Sequence, residues 1–333
     1  MTLFGRFGRQ PVAQRNGPPR QPRQAPRPGR RLIDGNELDI GSSCRILAAE
    51  LSVRLDYVVR PKAMTDAQLH SVEVDGQTIA FRQAGAGPAL VLLHGFLCDS
   101  RCWAHQLSHL SDQFRVVAWD APGAGSSSDP PDTFTTASYA HALAGFLDAI
   151  GIERAHIVGL SWGGILAQEF YRLCPERFRS LVLADTYAGW RGSLPETVWK
   201  ERLATCLQDA GGPPEALAAK FVPGVFTDAA PQHLRDEFSV ILSAFHPAGF
   251  RLMSLSSAEM DTRDLLPSIG VPTLVLWGED DRRSPLSIAE QFHAAIPGAE
   301  LAIISNAGHV SNMERPNVFN GHVRRFCLTR GRA

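Results

Sequence analysis

A serine hydroxyl becomes a useful nucleophile only when a base, an orienter for that base and donors for a developing oxyanion surround it. Ser161 stands in a setting suited to that demand, Gly159-Leu160-Ser161-Trp162-Gly163. The apolar run Ala155-His156-Ile157-Val158 precedes it and a helix-like stretch follows. Strand, sharp turn with serine at the tip, then helix is the sequence form of a nucleophile elbow. The turn strains the serine backbone, and side chains two positions to either side would collide with strand and helix. Gly159 and Gly163 remove those side chains, and Gly164 adds room. The helix behind the serine offers its first, unpaired amides.

The partners of Ser161 are sought at the carboxyl ends of the other buried runs, where a doubly wound parallel sheet collects its reactive groups. After Leu90–Leu93 comes His94-Gly95-Phe96, a glycine turn that can face the Phe96 N–H toward the serine. The Trp162 N–H is the expected second oxyanion donor, and His94 itself reads as a structural loop histidine. After Thr273–Trp277 comes Gly278-Glu279-Asp280-Asp281. A carboxylate here would fix the tautomer of the base and stabilise its imidazolium. Asp281 is favoured over Asp280, with Asp185, just past Leu181–Ala184, as a third option. After Leu301–Ile304 comes Ser305-Asn306-Ala307-Gly308-His309. His309 is the expected general base toward Ser161 and then the general acid toward the leaving group.

Elements that could position these groups follow from periodicity. Asp75-Gly76 between Ser71–Val74 and Thr78–Gln83 signals a hairpin. The near-continuous apolar runs at Ala89–Leu93, Val116–Trp119, His156–Leu160, Ser180–Ala184, Thr273–Trp277 and Glu300–Ile304 read as strands buried on both faces. Helical stretches at Arg101–Leu110, Ala137–Ile150, Trp162–Leu173, Ser287–Ile296 and Asn317–Cys327 alternate with them. This is an α/β chain with a mostly parallel, doubly wound sheet. From about Tyr187 to Met260 the alternation stops. Pro195–Ala210, Glu215–Phe221 and Pro231–Phe245 suggest three or four helices folded over the site as a cap that excludes water. The expected organisation is a core of residues 64–186 and 262–329, a helical cap of 187–261, and an N-terminal extension of 1–63.

That extension has a different composition. Residues 1–31 hold eight arginines and six prolines, with no acid before Asp34. Such a segment cannot bury enough apolar surface to fold. It fits neither a transit peptide nor a twin-arginine signal and reads as a dispensable tail or an over-extended start, since Met64 opens the first core residues; Ile46 to Val59 could form a short helix. The remaining chain, 333 residues in all and 44% hydrophobic, is ample for one large domain. A formal net charge of -1 recruits no nucleic acid, and no apolar stretch of about 18 residues is present to span a membrane. Cys44, Cys98, Cys102, Cys174, Cys206 and Cys327 fit no zinc spacing. They indicate a reducing, cytoplasmic setting, with Cys98 and Cys102 as small buried residues. No metal or organic cofactor is implied.

Taken together, the motifs resemble the α/β-hydrolase superfamily from about residue 70 to 328. The segments that carry the resemblance are His94-Gly95-Phe96, Trp119-Asp120-Ala121-Pro122-Gly123-Ala124-Gly125-Ser126-Ser127, the elbow, Trp277-Gly278-Glu279-Asp280-Asp281 and Ala307-Gly308-His309. The chain order Ser161, Asp281, His309 is that of these hydrolases. The resemblance places the acid at the fourth position of Gly-x-x-Asp, hence Asp281, and makes Asp120–Ser127 a loop beside the oxyanion hole. Leu183-Ala184-Asp185-Thr186, the cap start Glu196–Leu203 and the run Gly308 to Phe319 are most similar to β-ketoadipate enol-lactone hydrolases. The resemblance implies a serine hydrolase that cleaves a small ester or lactone through an acyl-enzyme. Carboxylesterases, carbon–carbon bond hydrolases, cofactor-free perhydrolases and ligand receptors share the fold. Trp190, Trp199 and Phe221 are candidate pocket residues in the cap, with Phe226 and Phe245 beside them, and Arg191 and Arg202 could bind a substrate carboxylate.

Overall fold

The computed structural model of the chain describes residues 67–330. The arginine-rich extension and the helix expected over Ile46 to Val59 lie outside the described residues. The fold opens with the hairpin of β1 (Leu69–Val74) and β2 (Gln77–Ala84). Asp75 and Gly76 at its tip have φ of 50° and 77°, the left-handed pair that a two-residue hairpin loop requires.

The alternating part follows as β3 (Ala89–Leu93), α1 (Ala104–Leu110), β4 (Arg115–Trp119), α2 (Thr136–Ala149), β5 (Ala155–Leu160), α3 (Trp162–Leu173) and β6 (Phe178–Ala184). The cap comprises α4 (Trp190–Ser193), α5 (Glu196–Asp209), α6 (Pro214–Phe221), α7 (Gln232–Leu242) and α8 (Pro247–Glu259). The chain then returns through β7 (Thr273–Gly278), α9 (Leu286–Ala295), β8 (Glu300–Ile304), α10 (Ser311–Glu314) and α11 (Pro316–Arg330). The strands make one eight-stranded sheet in the order β1-β2-β4-β3-β5-β6-β7-β8. β3 to β8 are mutually parallel, while β2 runs antiparallel to both β1 and β4. Every residue of β5 and β7 is buried, so the centre of the sheet is covered on both faces, whereas the edge strand β8, expected to be buried as well, buries only Ile304 because it has a neighbour on one side alone. α1 packs with α11, and α2 with α3.

The strand order decides where chemistry can sit. β3 pairs with β4 on one side and with β5 on the other. The connections leaving β3 and β5 therefore diverge, opening a crevice at their carboxyl ends. Ser161 follows β5 and His94-Gly95-Phe96 follows β3.

Two local expectations change. The helix expected over Arg101–Leu110 begins as one 3₁₀ turn, Ser100–Trp103, because the Asp99 carboxylate accepts the Arg101 N–H and starts the turn early. The cap holds five helices rather than three or four. The additional long one, α8, contains a glycine and three serines, a composition with weak intrinsic helix preference. It is held by burial instead. Phe250, Leu252, Met253 and Ala258 are core residues, and the buried Ser254 and Ser257 hydroxyls donate to carbonyls one turn back.

Candidate active site

Ser161 has φ of 53° and ψ of -118°, a left-handed conformation that costs a non-glycine residue on the order of 1–3 kcal/mol. Its surroundings impose it. The Ser161 N–H donates to the Ala184 carbonyl at 3.0 Å, and the Thr186 hydroxyl donates to the Ser161 carbonyl. The flanking glycines are sterically obligatory. A Cβ on Gly163 would lie 2.1 Å from the Leu93 carbonyl oxygen, and one on Gly159 would lie 2.4 Å from that of Gly163.

Three distant loops converge on the serine. His309 Nε2 lies 2.9 Å from Ser161 Oγ, and His309 Nδ1 lies 2.8 Å from Asp281 Oδ2. All three residues are buried. Asp281 is fixed in turn, since its Oδ1 accepts the N–H groups of Arg283 at 2.8 Å and Ser284 at 2.9 Å. Asp280 is exposed and offers only its backbone N–H, to Ala307. Asp185, also left-handed at φ of 47°, is fully buried. Its oxygens accept the Gly278 N–H at 2.7 Å and the Ser311 hydroxyl, so it braces β7 and the His309 loop instead of touching the imidazole. Burial, with the nearby charge of Asp281, pushes the Asp185 carboxyl well above the usual carboxylate range.

The oxyanion side is built by close approach. A Cβ on Gly95 would come within 3.2 Å of Ser161 Cβ, so the β3 loop runs against the serine. The Phe96 and Trp162 N–H groups make none of the backbone hydrogen bonds that close the surrounding turns. His94 holds this loop in place. Its Nδ1–H donates to the Gly95 carbonyl at 2.7 Å while its Nε2 accepts the Ala121 N–H at 3.0 Å. That pair of bonds sets the neutral tautomer, and complete burial lowers the imidazole pKa.

Two positioning residues escaped the sequence reading. Glu314 is buried, accepts the Gly308 N–H at 2.8 Å, and accepts both the N–H and the hydroxyl of Thr227. It thus ties the His309 loop to the cap segment between α6 and α7. Gln168 of α3 joins the two cap junctions. Its amide NH₂ donates to the Tyr187 carbonyl at 2.8 Å, and its oxygen accepts the Thr262 hydroxyl. The only sequence trace of Gln168 is a polar residue on a helix face that is otherwise apolar, and Glu314 has none apart from its place five residues after His309.

A cavity of about 370 Å³ opens above Ser161 and His309, between the core and the cap. That volume suits a small molecule. Trp190 and Phe221 line it, with Phe96 between them: the Phe96 ring meets Trp190 edge-on at 5.9 Å and Phe221 at 5.7 Å between centroids. Trp199 does not line it. Helix α5 turns Val198, Glu201, Arg202, Thr205, Cys206 and Asp209 to the cavity, a stripe at helical spacing, and Trp199 falls about a quarter-turn away. Its ring instead carries Lys200, 5.6 Å above the centroid. Phe226 is buried in the cap, Phe245 borders a separate small cavity, and Arg191 is exposed. Among the described residues there is no cluster of three His, Cys, Asp or Glu side chains that could hold a metal, and no single helix is long and apolar enough to cross a membrane.

The chain is similar to several known proteins. The chain is 32% identical over 262 residues to the dihydrolipoyllysine-residue acetyltransferase component of the acetoin cleaving system of Cupriavidus necator, covering 76% of this chain and 67% of that protein. It is 28% identical over 252 residues to 3-oxoadipate enol-lactonase 2 of Acinetobacter baylyi, covering 73% and 91%. Among solved structures, a malate-bound esterase from Thermogutta terrifontis superposes with a TM-score of 0.73 at 28% identity, over 79% of this chain and 98% of that one. Residues 88–316 match the family described as the alpha/beta hydrolase fold, and the chain belongs to that family.

Proposed function

We propose that the protein hydrolyses a small carboxylic ester or lactone through an acyl-enzyme. The observation that carries this reading is the unbroken relay Asp281–His309–Ser161 at the floor of the cavity between core and cap, with distances of 2.8 and 2.9 Å. Ser161 Oγ attacks the substrate carbonyl while His309 Nε2 takes its proton. Asp281 keeps the proton on Nδ1 and stabilises the imidazolium. The carbonyl oxygen becomes an oxyanion, received by the Phe96 and Trp162 N–H groups. His309 then protonates the departing alkoxide and the acyl-enzyme forms. A water, deprotonated by His309, attacks the acyl carbonyl, and collapse of the second tetrahedral intermediate returns Ser161 and releases the acid. Ring opening of a lactone follows the same steps, with the leaving alkoxide still tethered to the acyl group.

The likeness to a 3-oxoadipate enol-lactonase over nine-tenths of that enzyme's length favours an enol-lactone as substrate. The decisive test is active-site labelling. A fluorophosphonate should modify the peptide that contains Ser161. Ser161→Ala should abolish the label and lower kcat on p-nitrophenyl esters by about 10⁵–10⁶-fold with the fold intact. An alanine variant that kept its activity would end the reading. Turnover compared across p-nitrophenyl esters and enol-lactones would then separate esterase from lactonase.

A further inference from the structure

The cavity above Ser161 has a mouth whose two sides are held unequally. Of the residues that line the cavity, only Val198, Glu201 and Lys220 are exposed. The mouth therefore lies between α5, which carries the first two, and the end of α6, which carries the third. The two walls belong to different packing groups, since α5 rests on α4 and α8 while α6 rests on α7. The end of α6 is anchored to the core. Arg283 donates from Nη2 to the Phe221 carbonyl at 3.0 Å and lies 3.9 Å above the centroid of the Phe221 ring. α5 has only Cys206 buried. The wall free to yield is thus α5.

One ion pair joins the two walls. Lys220 Nζ lies 2.6 Å from Asp209 Oδ2, and both residues line the cavity. The Asp209 side chain is 19% exposed, whereas that of Lys220 is 51% exposed and reaches the carboxylate from the solvent side. The other charges of the lining stand apart from this contact. Arg202 donates to the Tyr187 hydroxyl at 2.9 Å, Arg283 holds Phe221 with the charge of Asp281 nearby, and Glu201 sits about two turns along α5 from Asp209. Beyond Asp209 the chain turns through Gly211 and Gly212, where an added Cβ would meet nothing nearer than 3.3 Å. No side chain stiffens that connection. A partly exposed ion pair is a weak and salt-sensitive tie, because water solvates both partners once they part. Here its leverage comes from position, for it sets how far α5 can stand off from α6.

We infer that Asp209 and Lys220 determine the size of the substrate that the enzyme accepts. While paired they bar the mouth to a bulky acyl group, which enters only when the pair separates, whereas a small ester passes with the pair intact. This rests on the ester-hydrolase reading above.

The test measures a ratio of kcat/KM, that of p-nitrophenyl cyclohexanecarboxylate over that of p-nitrophenyl acetate, two neutral esters with one leaving group. Asp209→Asn and Lys220→Met should each raise the ratio by about 2–5-fold, the reach of one such pair. The double variant should gain no more than either single one, because both changes break the same contact. In the unaltered enzyme, raising sodium chloride from about 0.05 M to about 1 M should also raise the ratio, and by more than in the double variant, which has no pair to screen. An unchanged or lowered ratio in the single variants, gains that add in the double variant, or the same salt response in both proteins would overturn the inference and leave the hydrolase intact. Failure to hydrolyse either ester, with no fluorophosphonate label at Ser161, would instead remove the hydrolase reading and this inference with it.

Discussion

The sheet and the cap solve opposite problems with the same backbone. Around Ser161 the chain has almost no slack. Gly159, Gly163 and Gly164 leave gaps of 2.1–2.4 Å to the nearest atoms of any added Cβ, and Ser161 and Asp185 are held at positive φ by buried hydrogen bonds. The cap is as tight at its seams with the core, where a Cβ on Gly189 or Gly249 would come within 1.9 Å of backbone oxygens, but on its outer side Gly211 and Gly212 meet nothing nearer than 3.3 Å, and Val198, Leu207 and Val240 are exposed. On α5 only Cys206 is buried. The rigid half fixes the geometry of a reaction that tolerates little displacement. The looser half presents a stripe of side chains to the cavity, where a change alters the substrate before it alters the fold. On the proposed reading, the core would determine what is done to a carbonyl and the cap which carbonyl arrives.

The largest effect that would test this division lies in the relay. Asp281→Asn should lower kcat by about 10⁴-fold, because an amide there favours the wrong imidazole tautomer. Asp280→Asn, one residue away and exposed, should leave kcat within about twofold, as expected of a surface change worth under about 0.5 kcal/mol. Steady-state kinetics on one p-nitrophenyl ester decide it, and equal losses would break the assignment. Next in size is packing. Gly163→Ala should cost more than about 3 kcal/mol through overpacking against backbone that cannot yield. Gly211→Ala in the cap should be neutral or stabilising by up to about 1 kcal/mol, through a less flexible unfolded chain. Urea denaturation of the pair measures both, and similar values would mean that the two halves are equally tolerant.

Acid should also act on the core. His156 of β5 is buried beside Phe114, with its Nδ1 2.8 Å from the Ser180 hydroxyl, and burial lowers its pKa from about 6.5 to about 4. The unfolded chain therefore binds a proton that the folded one refuses. The stabilisation is complete above pH 6.5 and is lost as pH falls toward 4, by about 3 kcal/mol in all. In His156→Gln that part of the pH dependence should vanish. Differences in unfolding free energy between the two proteins at each pH isolate it from Asp185, whose raised pKa acts in the opposite sense. A constant difference across that window would refute the claim. At the seam, Glu314→Gln should cost about 1–3 kcal/mol by weakening charge-assisted bonds to Gly308 and Thr227. It should also lower kcat with little change in KM, since the loosened loop carries His309.

The same contrast explains what could be read from the chain before its fold. All eight strands were legible because apolar runs between turn residues admit few other readings, and Trp162–Leu173 follows from the elbow itself. The loop ends after β5, β7 and β8 pointed to Ser161, Asp281 and His309, which the structure brings within hydrogen-bond distance of one another, since a parallel sheet forces such loops to one edge. The cap had no such rule. Helix α8 has a composition that disfavours helix and forms because its surroundings bury it. Arg283 looked like one more charged loop residue. Its placement depends on Phe221 and Gly224, which lie about sixty residues away in sequence and whose proximity no local pattern encodes. Gln168 and Glu314 are of the same kind, polar groups whose partners come from the far side of the cap.

The smallest expected effect gives the sharpest test of the cap. Trp190 and Trp199 are both cap tryptophans, and residue type alone makes them equal pocket candidates. The structure separates them. Trp190 is fully buried, meets Phe96 edge-on and lies beneath Arg202, whereas Trp199 is only half-buried and points off the lining stripe of α5. Trp190→Ala should therefore lower kcat/KM by about 10-fold or more, by removing a wall of the cavity and the platform of one cation. Trp199→Ala should change kcat/KM by no more than about twofold, even if it costs on the order of 1 kcal/mol of stability through lost packing. Measuring both variants at a temperature well below either unfolding transition keeps the two quantities apart. Should Trp199→Ala alter the preference among acyl chains, the α5 stripe would have to be rotated toward it, and the cavity-lining positions of Glu201, Arg202 and Thr205 would have to be redrawn together.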